Sequence, residues 1–169
     1  MIGSRIRYSG WNTLDIVAGP EVDYVGDCEN LSQFDTSSIE ALYASHVLEH
    51  VPYANLSATL KEWHRVVVPG GKIMVAVPDM NILAQLFVSS EIKGADKVFV
   101  MRMMFGGQLD KTDFHCIGFD LEILGVHLHI AGFIDIQRVA GFGLFPDTST
   151  QDFRGVPISL NVEARKPAA

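Results

Sequence analysis

The chain has 169 residues, of which 48% are hydrophobic and 20% charged, so a single domain over residues 1–169 can bury a core of its own. No apolar run reaches the roughly 18–20 residues of a bilayer-spanning helix, and the N-terminus lacks the basic-then-apolar pattern of a secretory signal, so we expect a soluble, cytoplasmic protein without membrane association. The formal net charge of −7 repels phosphate backbones and argues against nucleic acid as a partner.

The first half of the chain contains short runs typical of β-strands, separated by turns rich in glycine, proline and small polar residues. Strands are predicted at residues 1–3, 12–17, 22–27 and 39–45. Asp15 lies near the end of the second run and Asp27 ends the third. These two carboxylates are the first candidates for a functional site.

The second half alternates helices with apolar strands, which predicts an α/β domain. A helix at 54–68 is amphipathic because its apolar residues recur every three to four positions, and Pro69-Gly70-Gly71 ends it. The uninterrupted apolar run 72–77 is typical of a strand covered on both faces. Further predicted elements are helices after Pro78-Asp79, at 95–105 and at 121–131, and two late antiparallel strands at 133–140 and 158–165.

Several segments of the chain resemble the class I S-adenosylmethionine (SAM)-dependent methyltransferases, in particular those of type 11 with a short front end. The matching segments are Gly10-Trp11 leading to Asp15, Val25-Gly26-Asp27, Tyr43 to His50, Leu60 to Val66 with Pro69-Gly70-Gly71, Val77-Pro78-Asp79, and Ser159 to Ala164. The resemblance implies a Rossmann-like, mostly parallel sheet with an antiparallel C-terminal strand and helices on its faces. It also implies SAM as the cofactor and methyl transfer as the reaction.

The resemblance also indicates the cofactor site, since a nucleotide lies across the carboxyl ends of the central strands of such a sheet. Asp15 would bind the ribose hydroxyls, and the alternative is that it caps a turn. Asp27, beside Cys28, resembles the position that contacts the adenine amino group, with capping again as the alternative. Ser45 and His46 resemble the loop that lines the methionine half of the cofactor, and strand-end packing is the other interpretation.

The front end departs from the family pattern. Only Gly3 remains of the glycine-rich turn through which the backbone approaches the cofactor. Twelve positions separate Gly3 from Asp15, whereas the dinucleotide-binding fingerprint has about twenty, so we expect the first crossover helix to be missing. The affinity for SAM is then expected to be reduced or lost. The uncovered sheet face would expose apolar surface, which predicts a homodimer.

The acceptor side of the site is predicted in the polar segment between the later helices, where class I relatives often build the acceptor pocket. Gln108 and His115 are the candidate substrate-binding residues, and His115 is also the candidate catalytic base. A hydrogen-bonded loop histidine explains His115 equally well. The acceptor is expected to be a small molecule, a sugar or a protein.

Two other functions stay open. The short front end also fits a catalytically inactive methyltransferase fold that serves as a binding or interaction module. The segment His46-x-x-Glu49-His50 matches the zinc motif of inverted metallopeptidases, but Pro52 would interrupt a helix carrying both histidines. The two cysteines lie far apart without the spacing of a zinc site. We therefore predict no metal site.

Overall fold

One mixed sheet forms the centre of the molecule, in a computed structural model that describes residues 1–3 and 6–168. Its strands are β1 (Leu14–Asp15), β2 (Tyr24–Val25), β3 (Ile39–Ser45), β4 (Val67–Pro78), β5 (Ile134–Val139) and β8 (Ser159–Arg165). The spatial order is β2-β1-Ile2-β3-β4-β8-β5, in which β8 runs antiparallel to both β4 and β5. The predicted Rossmann-like, mostly parallel sheet with an antiparallel C-terminal strand is confirmed.

Ile2 joins the two parts of this sheet. It forms parallel bridges to Leu14 on one side and to Ala44 on the other. The Ile2 amide donates to the Tyr43 carbonyl and the Gly3 amide to the Leu14 carbonyl, each at 2.8 Å. The strand order therefore reverses beside Ile2, because the chain leaves it toward β1 and returns on its other side as β3. Open α/β sheets bind ligands at such a position.

Two helices cover one face of the sheet, α1 (Tyr53–Val66) and α4 (Leu121–Ile130), and their apolar side chains form the main core with β3 and β4. Trp63 of α1 is fully buried, and its indole N–H donates to the Cys28 carbonyl at 2.9 Å. This bond ties α1 to the loop after β2. None of the helices in the described residues has the length and apolar character needed to cross a lipid bilayer.

The opposite face carries aromatic side chains where a crossover helix is missing. The described residues between the first strand and β1 form no helix, as predicted. We call Tyr8, Trp11, Phe142 and Phe145 the aromatic cover, because they pack over Tyr43. The ring centroid of Phe145 lies 4.4 Å from that of Tyr8 and 4.8 Å from that of Tyr43. The sequence predicted exposed apolar surface here, whereas Tyr43 is only 1% exposed.

A smaller core lies beyond the end of β4. There α2 (Met80–Val88) and α3 (Ala95–Phe105) pack with a hairpin of β6 (Asp152–Phe153) and β7 (Val156–Pro157). The carboxylate of Asp79 accepts hydrogen bonds from the first amides of α2, so this helix begins where the sequence predicted. The hairpin is an addition to the predicted elements.

The strands β1 and β2 are shorter than predicted. Each strand contributes two paired residues, because the backbone amides of the residues before them donate to side chains rather than to the neighbouring strand. The Thr13 amide donates to Asp23 Oδ2 at 2.9 Å, and the Asp23 amide donates to Thr13 Oγ1 at 3.0 Å. This exchange joins the residues just before the two strands and so fixes where β1 and β2 begin and their register.

Candidate functional site

A cleft of about 390 Å³ opens at the carboxyl ends of β1, of β3 and of the N-terminal segment that pairs between them through Ile2. The strand order reverses at this position. Its size lies in the range of about 300–1,000 Å³ typical of small-molecule sites. Five predicted cofactor-binding residues line it: Gly3, Asp15, Asp27, Cys28 and His46. Ser45, the sixth, lines a neighbouring depression of about 340 Å³ that shares Gly3 and Asp15 with the cleft.

Gly3 lies where the first strand meets the exit of β3. Its φ of +70° is in the left-handed region that glycine adopts most readily. A Cβ at this position would collide with Cγ2 of Val47, which also lines the cleft. Glycine is therefore required for the first strand to approach Val47 so closely.

Three carboxylates line the cleft, those of Asp15, Asp27 and Glu29. Asp15 is only 6% exposed, and its Oδ1 accepts from the Val17 amide at 2.7 Å. Oδ1 of Asp27 accepts from the Glu29 amide at 2.9 Å, and Oε2 of Glu29 accepts from the Asn55 side chain at 2.7 Å. Each aspartate thus caps a turn and lines the cleft at once. Their negative charges favour a ligand with hydroxyl groups or positive charge.

Cys28 lies beside these carboxylates. Burial, followed by the charges of Asp27 and Glu29, raises the pKa of its thiol far above the ordinary value. The side chain is therefore a neutral thiol at physiological pH and adds a small apolar surface to the cleft. This environment is the opposite of the electropositive one that activates a nucleophilic cysteine.

Ser45 and His46 are anchored at the exit of β3. The His46 ring has Nε2 3.0 Å from Ser159 Oγ and Nδ1 3.2 Å from Oε1 of Glu49. Its φ of +54° is uncommon for a residue other than glycine and turns the chain out of the strand. Ser45 Oγ lies 3.2 Å from Thr148 Oγ1. The polar atoms of both side chains thus contact other parts of the protein.

The predicted acceptor segment folds back onto the residues after β3. Gly106 permits this turn, since its φ is +87° and a Cβ there would collide with the Asp113 carbonyl. The His115 ring packs edge-on against His50, with 4.9 Å between ring centroids, and His50 lines the cleft. Gln108 is exposed, and its amide donates to the last carbonyl of α3 at 3.3 Å. His115 thus packs against the cleft-lining His50 without lining the cleft itself, and Gln108 does not line the cleft either.

The half-buried position of His115 also sets its charge. Burial is the main cause that lowers its pKa, and the neighbouring His50 and His46 lower the pKa further, while Glu49 opposes them. His115 is consequently a neutral imidazole at physiological pH. A neutral imidazole can accept a proton or bind a metal ion.

The segment from His46 to His50 does not form a metallopeptidase helix. Only Leu48–His50 is helical, as a single 3-10 turn, and extended backbone follows at Val51 and Pro52. His46 precedes this turn, so no helix carries both histidines. The interruption predicted at Pro52 is present, and the peptidase interpretation has no structural basis.

Other cleft-lining residues went unnoticed in the sequence. They are Glu29, Val47, Lys111, Thr112, Phe114 and Cys116. Glu29 could have been found, because it follows by two positions Asp27, the predicted end of a strand. The last four belong to the segment that folds back, and no local pattern marks which of its side chains meet the cleft.

Known methyltransferases match this chain in sequence pattern and in fold. Residues 12–75, which run from just before β1 into β4, match the sequence family described as "Methyltransferase domain". A SAM-dependent methyltransferase of Archaeoglobus fulgidus superposes with a TM-score of 0.58 at 15% identity, covering 91% of this chain and 75% of that one. The chain has the class I methyltransferase fold. Among proteins of curated function, none matches the chain in sequence.

Two further solved structures are similar to this chain in fold. A SAM-dependent methyltransferase of Methanosarcina mazei gives a TM-score of 0.57 at 17% identity, covering 94% of this chain and 82% of that one. The 1,6-didemethyltoxoflavin-N1-methyltransferase of Burkholderia thailandensis, solved with S-adenosylhomocysteine, gives 0.57 at 17% identity, covering 92% of this chain and 60% of that one. The chain spans between about half and three quarters of the length of the first similar structures.

The matching family model and the similar structures imply SAM as the cofactor, and the cleft of this chain fits it in donor chemistry. SAM carries a ribose diol, an adenine amino group, an ammonium and a sulfonium, which are hydrogen-bond donors or positive charges. The carboxylates of Asp15, Asp27 and Glu29 supply acceptors and negative charge in the cleft. Gly3 lines the same cleft and has no side chain to occupy it.

Proposed function

We propose that this chain binds SAM in the cleft and transfers its methyl group to an acceptor other than nucleic acid. The supporting observation is the convergence of Asp15, Asp27 and Gly3 on one cleft at the reversal of the strand order. Small molecules, sugars and proteins are the acceptor classes that we consider. The net charge of −7 disfavours a phosphate backbone as acceptor.

Each carboxylate has a proposed role in binding the cofactor. Asp15 accepts hydrogen bonds from the ribose hydroxyls, and its burial strengthens those bonds. Asp27 accepts from the adenine amino group, with Cys28 packed against the base. Gly3, Ser45 and His46 border the methionine half.

When bound, SAM supplies a methyl group that is already activated by the sulfonium. The protein then has to align the acceptor and, where the acceptor requires it, to remove a proton. His115 is the candidate for that base, because it is neutral at physiological pH and its ring contacts His50, which lines the cleft. Gln108 is the other candidate on the acceptor side. It lies in an exposed turn after α3 and would reach an acceptor only from the outer edge.

A non-catalytic binding module is the second candidate function. One observation favours it: the described residues between Gly3 and β1 supply no helix whose N-terminus could face the amino-acid half of SAM. Under this hypothesis SAM binds weakly or not at all. The fold would then serve to bind a partner or another small molecule.

Calorimetric titration with SAM and S-adenosylhomocysteine separates the two functions. We expect binding of both ligands by the wild-type chain and a loss of at least about tenfold in Asp15→Asn, which keeps an acceptor for the Val17 amide but removes the charge. Asp120→Asn is the matched control, since Asp120 caps α4 and does not line the cleft. Absence of binding at millimolar ligand would contradict SAM-dependent catalysis and favour the module.

A cytoplasmic homodimer remains part of the proposal. The argument for two copies now rests on the front edge of the sheet, where Ile16, Val17 and Val25 are each between 48% and 59% exposed and the β2 strand has an open edge. Light scattering at micromolar concentration tests this part of the proposal. A monomer would contradict it without affecting the SAM hypothesis.

A further inference from the structure

Glu49 is a buried carboxylate without a donor. Its side chain is 0% exposed, and neither carboxylate oxygen accepts a hydrogen bond from the residues that the structure describes. Its backbone carbonyl, by contrast, accepts from the amides of Cys116 at 2.7 Å and Ile117 at 3.2 Å. An ionised carboxylate in such a place is costly unless a proton or a cation compensates its charge.

His46 offers this carboxylate no proton in its neutral form. The Ser159 hydroxyl donates its only hydrogen to the Thr148 carbonyl at 2.9 Å, so the 3.0 Å contact between Ser159 Oγ and His46 Nε2 requires Nε2 to be the donor. In neutral His46 the other nitrogen, Nδ1, is then a bare lone pair. It lies 3.2 Å from Oε1 of Glu49, so two acceptors face each other.

The rings of His50 and His115, which lie close to Glu49, also each have a nitrogen lone pair available. His50 Nδ1 lies 3.0 Å from the Phe114 carbonyl, which only accepts, so Nδ1 carries the hydrogen and Nε2 is left as a lone pair. The backbone of Met104 is a hydrogen-bond partner of the His115 ring, and the buried Nδ1 of that ring has no hydrogen-bond partner among the described residues. Glu49, His50 and His115 each offer one potential ligand atom, and these three atoms all lie within 4.8 Å of one another.

We infer that Glu49, His50 and His115 bind a divalent transition-metal ion beside the cleft. Two imidazoles and a carboxylate are a donor set suited to zinc, cobalt, nickel or ferrous iron, and they leave coordination positions open for water. The ion would supply the positive charge that the buried carboxylate lacks. The Phe114 carbonyl would orient His50 as an outer-shell acceptor commonly orients a histidine ligand.

This site differs from the metallopeptidase motif and replaces the prediction of no metal. In the motif the glutamate activates water and both histidines belong to one helix. Here Glu49 is itself a ligand, and the second histidine comes from the loop after α3. With the ion bound, His115 Nδ1 is a ligand atom, so the role of base proposed for His115 applies only to the metal-free protein. The inference does not depend on SAM binding, because all of its ligands belong to the protein.

Cobalt and zinc titrations test the site. Tag-free, chelator-treated protein is titrated with Co²⁺, followed by its visible absorption, and with Zn²⁺ by calorimetry. We expect one ion per chain with nitrogen–oxygen coordination. His50→Gln and His115→Gln should each weaken binding at least about tenfold, since loss of even an outer-shell partner has effects of that size. Glu49→Gln, which keeps the shape without the charge, should do the same.

His129→Gln is the matched control, because His129 is exposed on α4 away from the cluster, and it should bind like the wild type. Circular dichroism and thermal unfolding show which variants fold. If Glu49→Gln does not fold, His50→Gln and His115→Gln still test the site. No binding of any of these ions at millimolar concentration would overturn the inference. Undiminished binding in folded His50→Gln and His115→Gln would do so too. SAM titration of the same samples reports separately on the proposed function.

Discussion

Gly3 and Val47 approach each other so closely that no side chain fits between them: a Cβ on Gly3 would overlap Cγ2 of Val47. This contact joins the end of the first strand to the residue that leaves β3, and both residues line the cleft. The remaining glycine of the front end is therefore needed for packing as well as for its φ of +70°. Its loss should affect the fold and the cleft together.

Gly3→Ala should destabilise the chain more than Gly10→Ala. Both glycines have positive φ, but a Cβ on Gly10 would meet only open space, so Gly10→Ala isolates the backbone strain of about 1 kcal/mol. Gly3→Ala adds overpacking against Val47, typically about 1–3 kcal/mol more. Urea unfolding measures both. Adding Val47→Ala should reduce the excess loss of Gly3→Ala; an unchanged excess would show that the contact does not cause it.

The cleft shows which parts of a site can be predicted from sequence. Asp15 and Asp27 were predictable because strand ends follow from periodicity and parallel strands bring their ends to one edge. The meeting of His50 with His115 was not. It depends on a turn at Gly106 that folds a long loop back, and loop conformation depends on tertiary contacts rather than on local propensity.

The two cysteines should differ strongly in reactivity. Cys116 is exposed, whereas Cys28 is half-buried and has a pKa raised by burial and by Asp27 and Glu29. Because only the thiolate reacts, alkylation at pH 8 should modify one thiol quickly and the other slowly. Mass spectrometry after timed iodoacetamide treatment locates them. Cys116→Ser should remove the fast phase and Cys28→Ser should leave it; equal rates in the native chain would contradict the placement of Cys28.

The aromatic cover should contribute substantially to stability. Phe145 is 9% exposed and contacts Tyr8 and Tyr43, so Phe145→Ala is expected to lower the free energy of unfolding by about 3–5 kcal/mol. Phe105→Ala is the control, since Phe105 is 52% exposed and should lose about 1 kcal/mol or less. Urea unfolding of both variants checks this. Similar losses would mean that the sheet face does not depend on the cover.

Several elements of the fold follow from the sequence, and the exceptions have physical causes. The predicted bounds 39–45 agree with β3, where a polar turn precedes the apolar run. Pro69-Gly70-Gly71 was expected to end α1, yet the helix ends at Val66. Val67 pairs with Ile39 of β3, so strand pairing ends the helix before the proline is reached. The proline signal predicted the end of the helix at residue 68, and the tertiary contact ends it two residues earlier, at Val66.

Stability should fall below neutral pH in a manner that depends on His64. Burial, then the charge of Lys166, lowers the pKa of His64 in the folded chain below its ordinary value of 6.5. The unfolded chain therefore binds a proton more readily, so the contribution of His64 is fully present above about pH 6.5 and is lost as the pH falls through that value toward the folded pKa. Urea unfolding at pH 7.5 and pH 5.5 should give a smaller difference in His64→Gln than in the wild type.

His129→Gln is the control for this pH effect, because His129 is exposed and belongs to a helix on the same face. It should keep the wild-type difference between the two pH values. The His64 ring packs edge-on against Phe133 at 5.0 Å, its buried Nε2 has no hydrogen-bond partner in the described residues, and the Gly132 backbone only partly offsets the lowering of the pKa. If His64→Gln retained the whole pH dependence, the proton would be taken up elsewhere and this environment would not disfavour the charged ring.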